Sequence, residues 1–370
     1  MRRQKVVLRV MAGPRAGPVG CPPASRSSTP PVFASAPLLL ASVLAAGPGE
    51  PAVVPATTGP AAAVSFATEP GRLYQVQRQG DAGWEDVGDA VRGDGAEVVK
   101  LLPAGEYRVV RPDGWAVVWR DEFDGDTLDL TKWGYEVNNL GGGNFERQAY
   151  RDDPKYCFVN DGSLHIAAYR DPHTTPDGKT QPYSSARIRT KGRFEFLYGR
   201  VEVRAKVPAG EGIWPAAWML PTASPYGGWA AGGEIDILES RGSAVQETTG
   251  ALHFGGEWPR NEYVAHAYRF PGPDAAAAFH VYMLEWGPDA ISWSVDGEPA
   301  RTRTAGVWFT EAAPGNPSAP FDAAFHLLLN VAVDGRFFEK TDQRADRLPP
   351  GSFPQTLLVD YVRVSQRDAR

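Results

Sequence analysis

Cysteine is scarce in this 370-residue chain, with only Cys21 and Cys157 present. Two cysteines argue against a disulfide framework, and no CxxC or His/Cys spacing suggests zinc. Cys157 reads as a small buried residue, the common fate of a free cysteine. No stretch approaches the roughly 20 apolar residues of a membrane-spanning helix. An excess of positive charge is missing too. Lys and Arg number 38 against 44 Asp and Glu, a formal charge of −6, so charge gives a nucleic-acid role no support. A neutral polymer is an easier partner. Long helical patterns are rare, and the one helix-like patch, PDAAAAFH (273–280), is short. No internal repeat is visible.

What the chain has in quantity is aromatic residues and turn formers: 11 Trp, 40 Gly and 33 Pro, with 42% apolar residues overall. That mixture predicts an all-β protein with a sizeable core. Three regions follow. Residues 1–62 are rich in Ala, Pro and Gly and read as a leader and linker. Within them, APLLLASVLAAG (36–47) resembles a signal h-region with basic residues upstream, which points to export, secreted or to the cell envelope, although the n-region is long. Residues 64–112 hold short β-type runs split by Gly/Asp turns, a small β module whose role the sequence does not assign. Residues 115–367 carry many short alternating runs, among them FEFLYGRVEVRAKV (194–207), DAISWSVDG (289–297), FHLLLNVAV (325–333) and TLLVDYVRV (356–364). Strands at this density predict a two-sheet β-sandwich. The expectation is a monomer.

One run stands apart. GEIDILES, ending at Ser240, sets Glu234, Asp236 and Glu239 among apolar residues. Burying three unpaired carboxylates together is costly, so stability alone does not explain them. Ile235, Ile237 and Leu238 give the strand a core side, leaving the acids to an open groove. Two carboxylates about 5–5.5 Å apart are what retaining glycoside hydrolysis requires, and a third between them splits their pKa values. Strand alternation puts Glu234 and Asp236 on one face and Glu239 on the other. A β-bulge, one extra residue at Ile237–Leu238, returns Glu239 to the shared face.

Glu-Ile-Asp-Ile-Leu-Glu resembles the bulged active-site signature of glycoside hydrolase family 16, as found in laminarinase-type endo-1,3-β-glucanases. The resemblance extends to WRDEFDGDTLDLTKW (119–133), SSARIRTKGRFEFLYGRVEVRAKVPAGEGIWPAAWMLP (184–221), TGALHFGG (249–256), FHVYMLEWGPDAISWSVDG (279–297), LLLNVAV (327–333) and FPQTLLVDYVRV (353–364), in the family's order. It implies a concanavalin A-like β-jelly-roll with a concave cleft. It also implies Glu234 as nucleophile, Glu239 as general acid/base and Asp236 as the assisting carboxylate, with no cofactor in catalysis.

The groove residues are expected from the same likeness and from sugar chemistry, since sugar rings stack on exposed aromatics. Trp229 is placed beside the cleaved sugar and His253 in the cleft. Trp258 sits on an edge loop. Trp214 and Trp218 are four apart with a proline between them, and at least one is expected in the core. GGGNFERQAY (141–150) aligns with a loop that usually reads with two Asn. Here Phe145 follows Asn144, while Glu146 is kept, so Asn144 and Glu146 are candidates for hydroxyl binding. Arg200 is either a cleft residue or an ion-pair partner, and Asn330 either reaches the cleft or is satisfied within its sheet.

Many relatives hold a structural Ca²⁺ away from the chemistry, and its ligands match Glu122, the Gly162 carbonyl and Asp360, oxygen donors of the right type. The favoured substrate is laminarin-type β-1,3-glucan. Mixed-linkage glucan, agaran or carrageenan are alternatives, disfavoured by the lack of a basic cluster near the motif. A β-glucan-binding protein without turnover is a further alternative, disfavoured because all three acids are present.

Overall fold

The computed structural model describes residues 40–42, 52–54, 61–175, 178–271, 276, 278–338, 344–349 and 351–368. Cys21, most of the signal-like segment and half of the 273–280 patch lie outside them. The chain divides into one unit of Met1–Ala116 with Arg367–Arg370 and another of Val117–Gln366. Among the described residues no helix is long and apolar enough to cross a membrane.

The first unit is built of short strands, chiefly Ala61–Ala67, Leu73–Gly80, Glu97–Pro103 and Tyr107–Val110. Its own small core comprises Val64, Phe66, Tyr74, Val76, Tyr107 and Val109.

The second unit is a jelly-roll sandwich. One sheet has seven strands, in the order Gly134–Tyr135, Arg187–Arg189, Phe325–Val333, Ile213–Pro221, Glu234–Ser240, Glu247–Gly255 and Asn261–Arg269. The other runs Cys157–Asn160, Ser163–Ala168, Gln355–Gln366, Gly199–Lys206, His280–Trp286, Ala290–Val295 and Glu298–Thr304, with Ala116–Asp121 paired to Gln355–Gln366. Alternation explains the burial. Val201, Val203 and Ala205 point into the core while Arg200, Glu202 and Arg204 point out. The Phe325–Val333 strand is buried along its whole length, the polar His326 and Asn330 included. Asp296 and Gly297 both take positive φ (52° and 83°) in a two-residue turn that joins two strands, the reason a DG pair stands there. Cys157 is a buried free thiol.

The bulge is present. Across the Glu247–Gly255 strand, Asp236 faces Ala251 and Glu239 faces Thr249, so three steps on one strand match two on the other. Across the Ile213–Pro221 strand the register jumps from Leu238↔Ala217 to Asp236↔Trp218. Ile235, Ile237 and Leu238 all join the core, which is possible only because the bulge turns two consecutive side chains inward. The Trp293 indole N–H, from the opposite sheet, donates to the Asp236 carbonyl at 2.8 Å. Gly250 makes room for it, since a Cβ there would lie 2.7 Å from the Trp293 ring.

Candidate active site

The seven-stranded sheet carries a cleft of about 510 Å³, whose lining includes Glu234, Asp236 and Glu239. Each acid has a different companion. The Trp229 indole N–H donates to Glu234 Oε2 at 2.9 Å, and the Trp214 indole N–H donates to Glu239 Oε1 at 2.9 Å. His253 Nε2 lies 3.2 Å from Asp236 Oδ2 and 3.7 Å from Glu234 Oε1. Its position follows from the ladder, which puts His253 directly opposite Glu234.

The electrostatics follow from crowding and burial. Burial first, and the Asp236 charge second, push Glu234 up to about 7 and Glu239 up to about 8. The imidazole of His253 goes up to about 9. Burial works against its charge, but Asp236, 3.2 Å away, and the surrounding carboxylates outweigh it. At neutral pH the site therefore holds a cationic His253 beside Asp236, and a Glu239 poised to keep its proton. Glu234, Asp236 and His253 each offer a ligand atom within 4.8 Å of one another, a spacing a divalent ion can use.

Trp214 and Trp218 both line the cleft, which corrects the expectation that one belongs to the core. The register with Phe325–Val333 is unbroken from Ile213 to Pro221, so residues 214 and 218 share a face. Pro215 is tolerated because pairing with the acid strand begins only at Ala216. Asn330 satisfies both halves of its alternative: it lines the cleft, and its Oδ1 accepts from the Trp218 indole N–H at 2.8 Å. Trp229, Trp258, Asn144 and Glu146 also line the cleft. Glu146 is buried and accepts from Gln148 Nε2 (2.7 Å) and the Tyr150 hydroxyl (3.3 Å).

Arg200 is not part of the cleft. It lies on the other sheet, where its outward face pairs with Glu285. The expected cation set does not fit an ion either. Arg363 donates to both oxygens of Glu122, at 2.8 and 2.7 Å, and Arg204 pairs with Asp360, so both carboxylates are already neutralised by guanidinium groups. Gly162 occupies the positive-φ corner (70°) of a hairpin.

Among the cleft residues that escaped the sequence reading are two cations, Arg187 and Arg336. Arg187 was within reach: Ala186 and Ile188 are core residues, so alternation sends Arg187 to the cleft. Its charge is spread over Glu136 (3.1 Å) and Glu146 (3.8 Å), and its guanidinium lies 5.1 Å from the Trp218 ring centre.

The profile "Glycosyl hydrolases family 16" matches residues 147–322. The chain is 44% identical over 263 residues to "Glucan endo-1,3-beta-glucosidase A1" of Niallia circulans, covering 68% of this chain and 38% of that protein's length. It is 37% identical to "Glucan endo-1,3-beta-glucosidase" of Cryptopygus antarcticus over 67% of this chain and 91% of that one. Among solved structures, the catalytic domain of an endo-1,3-beta-glucanase (laminarinase) from Thermotoga petrophila RKU-1 superposes with a TM-score of 0.60 at 35% identity, covering 70% of this chain and all of that one.

Proposed function

The chain belongs to glycosyl hydrolase family 16, and from that premise we propose that it is a retaining endo-glycosidase of β-1,3-glucan. The observation that carries this reading is the bulge at Ile237–Leu238, which puts three acids into one cleft with separate hydrogen-bond partners for Glu234 and Glu239.

In the first step the Glu234 carboxylate attacks the anomeric carbon. The bond to the leaving oxygen breaks, and Glu239 gives that oxygen its proton. A glycosyl ester on Glu234 results. In the second step Glu239 takes a proton from water, the water oxygen bonds to the anomeric carbon, and Glu234 departs as carboxylate. Asp236, next to His253, is the assisting carboxylate: its charge opposes ionisation of both glutamates, so the proton needed for the first step stays in the site. Trp229, Trp258, Trp214 and Trp218 supply faces for sugar rings, and Asn144, Glu146 and Asn330 supply polar contacts, while His253, expected in the cleft, is not among its lining residues and acts on Asp236 and Glu234. The substrate is a polymer outside the cell, which fits export through the 36–47 segment. The catalytic part is residues 115–367, and it acts as a monomer.

The galactan alternative draws some support from Arg187 and Arg336, but Arg187 is already engaged by Glu136 and Glu146. A reducing-end assay on laminarin, lichenan, agarose and carrageenan separates the readings. Laminarin is expected to be cleaved fastest, and Glu234→Gln or Glu239→Gln to abolish the activity in a folded protein. Preferred cleavage of agarose or carrageenan, or binding to laminarin with no product, would reject the assignment.

A further inference from the structure

The two walls of the cleft are built at opposite ends of its strands. The Phe325–Val333 strand runs antiparallel to Ile213–Pro221, which is antiparallel to Glu234–Ser240, which is antiparallel to Glu247–Gly255. The C-terminal end of Phe325–Val333 and that of Glu247–Gly255 therefore lie at opposite ends of the strands. Arg336 follows the first, and Trp258 follows the second. Across the cleft these two residues meet: the Arg336 guanidinium carbon lies 5.3 Å from the Trp258 ring centre. On its own side Arg336 also covers Phe145, at 4.6 Å.

Both anchors are held by backbone. The Trp258 N–H donates to the Trp229 carbonyl (2.9 Å), which ties it to the loop that carries the Glu234 partner. The Arg336 N–H donates to the Asn144 carbonyl (2.7 Å), next to Phe145. Phe145 and Trp258 are 70% and 59% exposed, so their outer surfaces face solvent while Arg336 and Trp258 line the cleft.

From this geometry we infer that Phe145, Arg336 and Trp258 form a bridge over the cleft that selects unbranched glucan chains. The inference rests on the β-1,3-glucan reading above. A linear chain lies beneath the bridge with its rings on the cleft aromatics. A glucosyl branch puts a second ring where the guanidinium stands, and must displace Arg336 from both aromatic faces. Phe145 is central to this device, because it gives Arg336 its second face.

The test compares kcat/KM on an unbranched β-1,3-glucan with that on a β-1,3-glucan carrying single 6-O-glucosyl branches, for the wild type, Arg336→Ala and Phe145→Asn. Two exposed cation–π contacts set the scale: the linear-to-branched ratio should fall roughly fivefold to thirtyfold in Arg336→Ala. Phe145→Asn should fall part of the way, and Asn tolerates the positive φ (58°) at this position, so this variant keeps its fold. A ratio within twofold of wild type in both variants, with activity on the linear chain retained, would overturn the bridge. A wild type that cleaves neither glucan would overturn the functional reading beneath it, a distinct result.

Discussion

Replacing Trp214 with Phe removes one hydrogen bond and little else. The indole N–H donates to Glu239 Oε1 at 2.9 Å, and the ring stacks on Phe337 at 4.5 Å with an interplanar angle of 20°. Phe keeps the stack and loses the donor. That hydrogen bond favours the ionised carboxylate, so its loss raises the Glu239 pKa further above about 8. A hydrogen bond to a charged group contributes about 1.5–3 kcal/mol, and the open cleft argues for the low end. At about 1.4 kcal/mol per pH unit the shift is about one unit. If Glu239 supplies the proton, the alkaline limb of the kcat/KM–pH profile moves up by about one unit while the acid limb stays. Trp229→Phe is the mirror experiment. It removes the donor to Glu234 Oε2, raises that carboxyl above about 7, and moves the acid limb up instead. The assay is a pH series of initial rates at low substrate with a soluble β-1,3-glucan oligosaccharide. An alkaline limb that stays put in Trp214→Phe, or an acid limb that shifts in its place, would refute the assignment of roles.

Stability should depend on pH through the same groups. Glu234, Glu239 and His253 all have folded-state pKa values above their ordinary ones. For each, the stabilising contribution is full below the ordinary value and is lost as pH rises through about 7, 8 and 9 respectively. Thermal unfolding followed from pH 5 to pH 9 should show Tm falling, and Glu239→Gln should flatten the fall and melt higher than wild type at pH 9. A Tm for Glu239→Gln below wild type at pH 9 contradicts this. The bulge should depend on its brace. Trp293→Phe leaves the buried Asp236 carbonyl without that donor and should destabilise by about 1–3 kcal/mol, read as a lower denaturant midpoint, and lower kcat more than it raises KM. Gly250→Ala should do the same by displacing the Trp293 ring. Wild-type kcat in both variants would separate the brace from catalysis.

Much of this site was legible because it obeys strand alternation. Glu234, Asp236 and Glu239 break that alternation in one place, and two consecutive apolar residues, Ile237 and Leu238, mark where the extra residue lies. The same rule failed where it was not applied. Trp214 and Trp218 are an even number apart, but Pro215 discouraged reading them as one strand. Arg187 alternates with core residues and was open to the same reading. Arg200 shows what alternation cannot decide: a sandwich has two outward faces, and the pattern of a strand does not say which sheet it joins. The neutralisation of Glu122 and Asp360 by Arg363 and Arg204 depends on partners 241 and 156 residues away. The meeting of Arg336 with Trp258 depends on two loops folding toward each other, and no local pattern encodes it.

The central claim is that Glu234 and Glu239, brought to one face by a bulge, divide the chemistry as nucleophile and proton donor. In Glu239→Gln, a β-linked glucoside with a good leaving group needs no protonation to depart, while the water step has lost its base. A glycosyl-enzyme should therefore accumulate, and peptide mass spectrometry should find the added sugar on Glu234. A sugar found on Asp236, or product of inverted anomeric configuration with no adduct, would contradict the account.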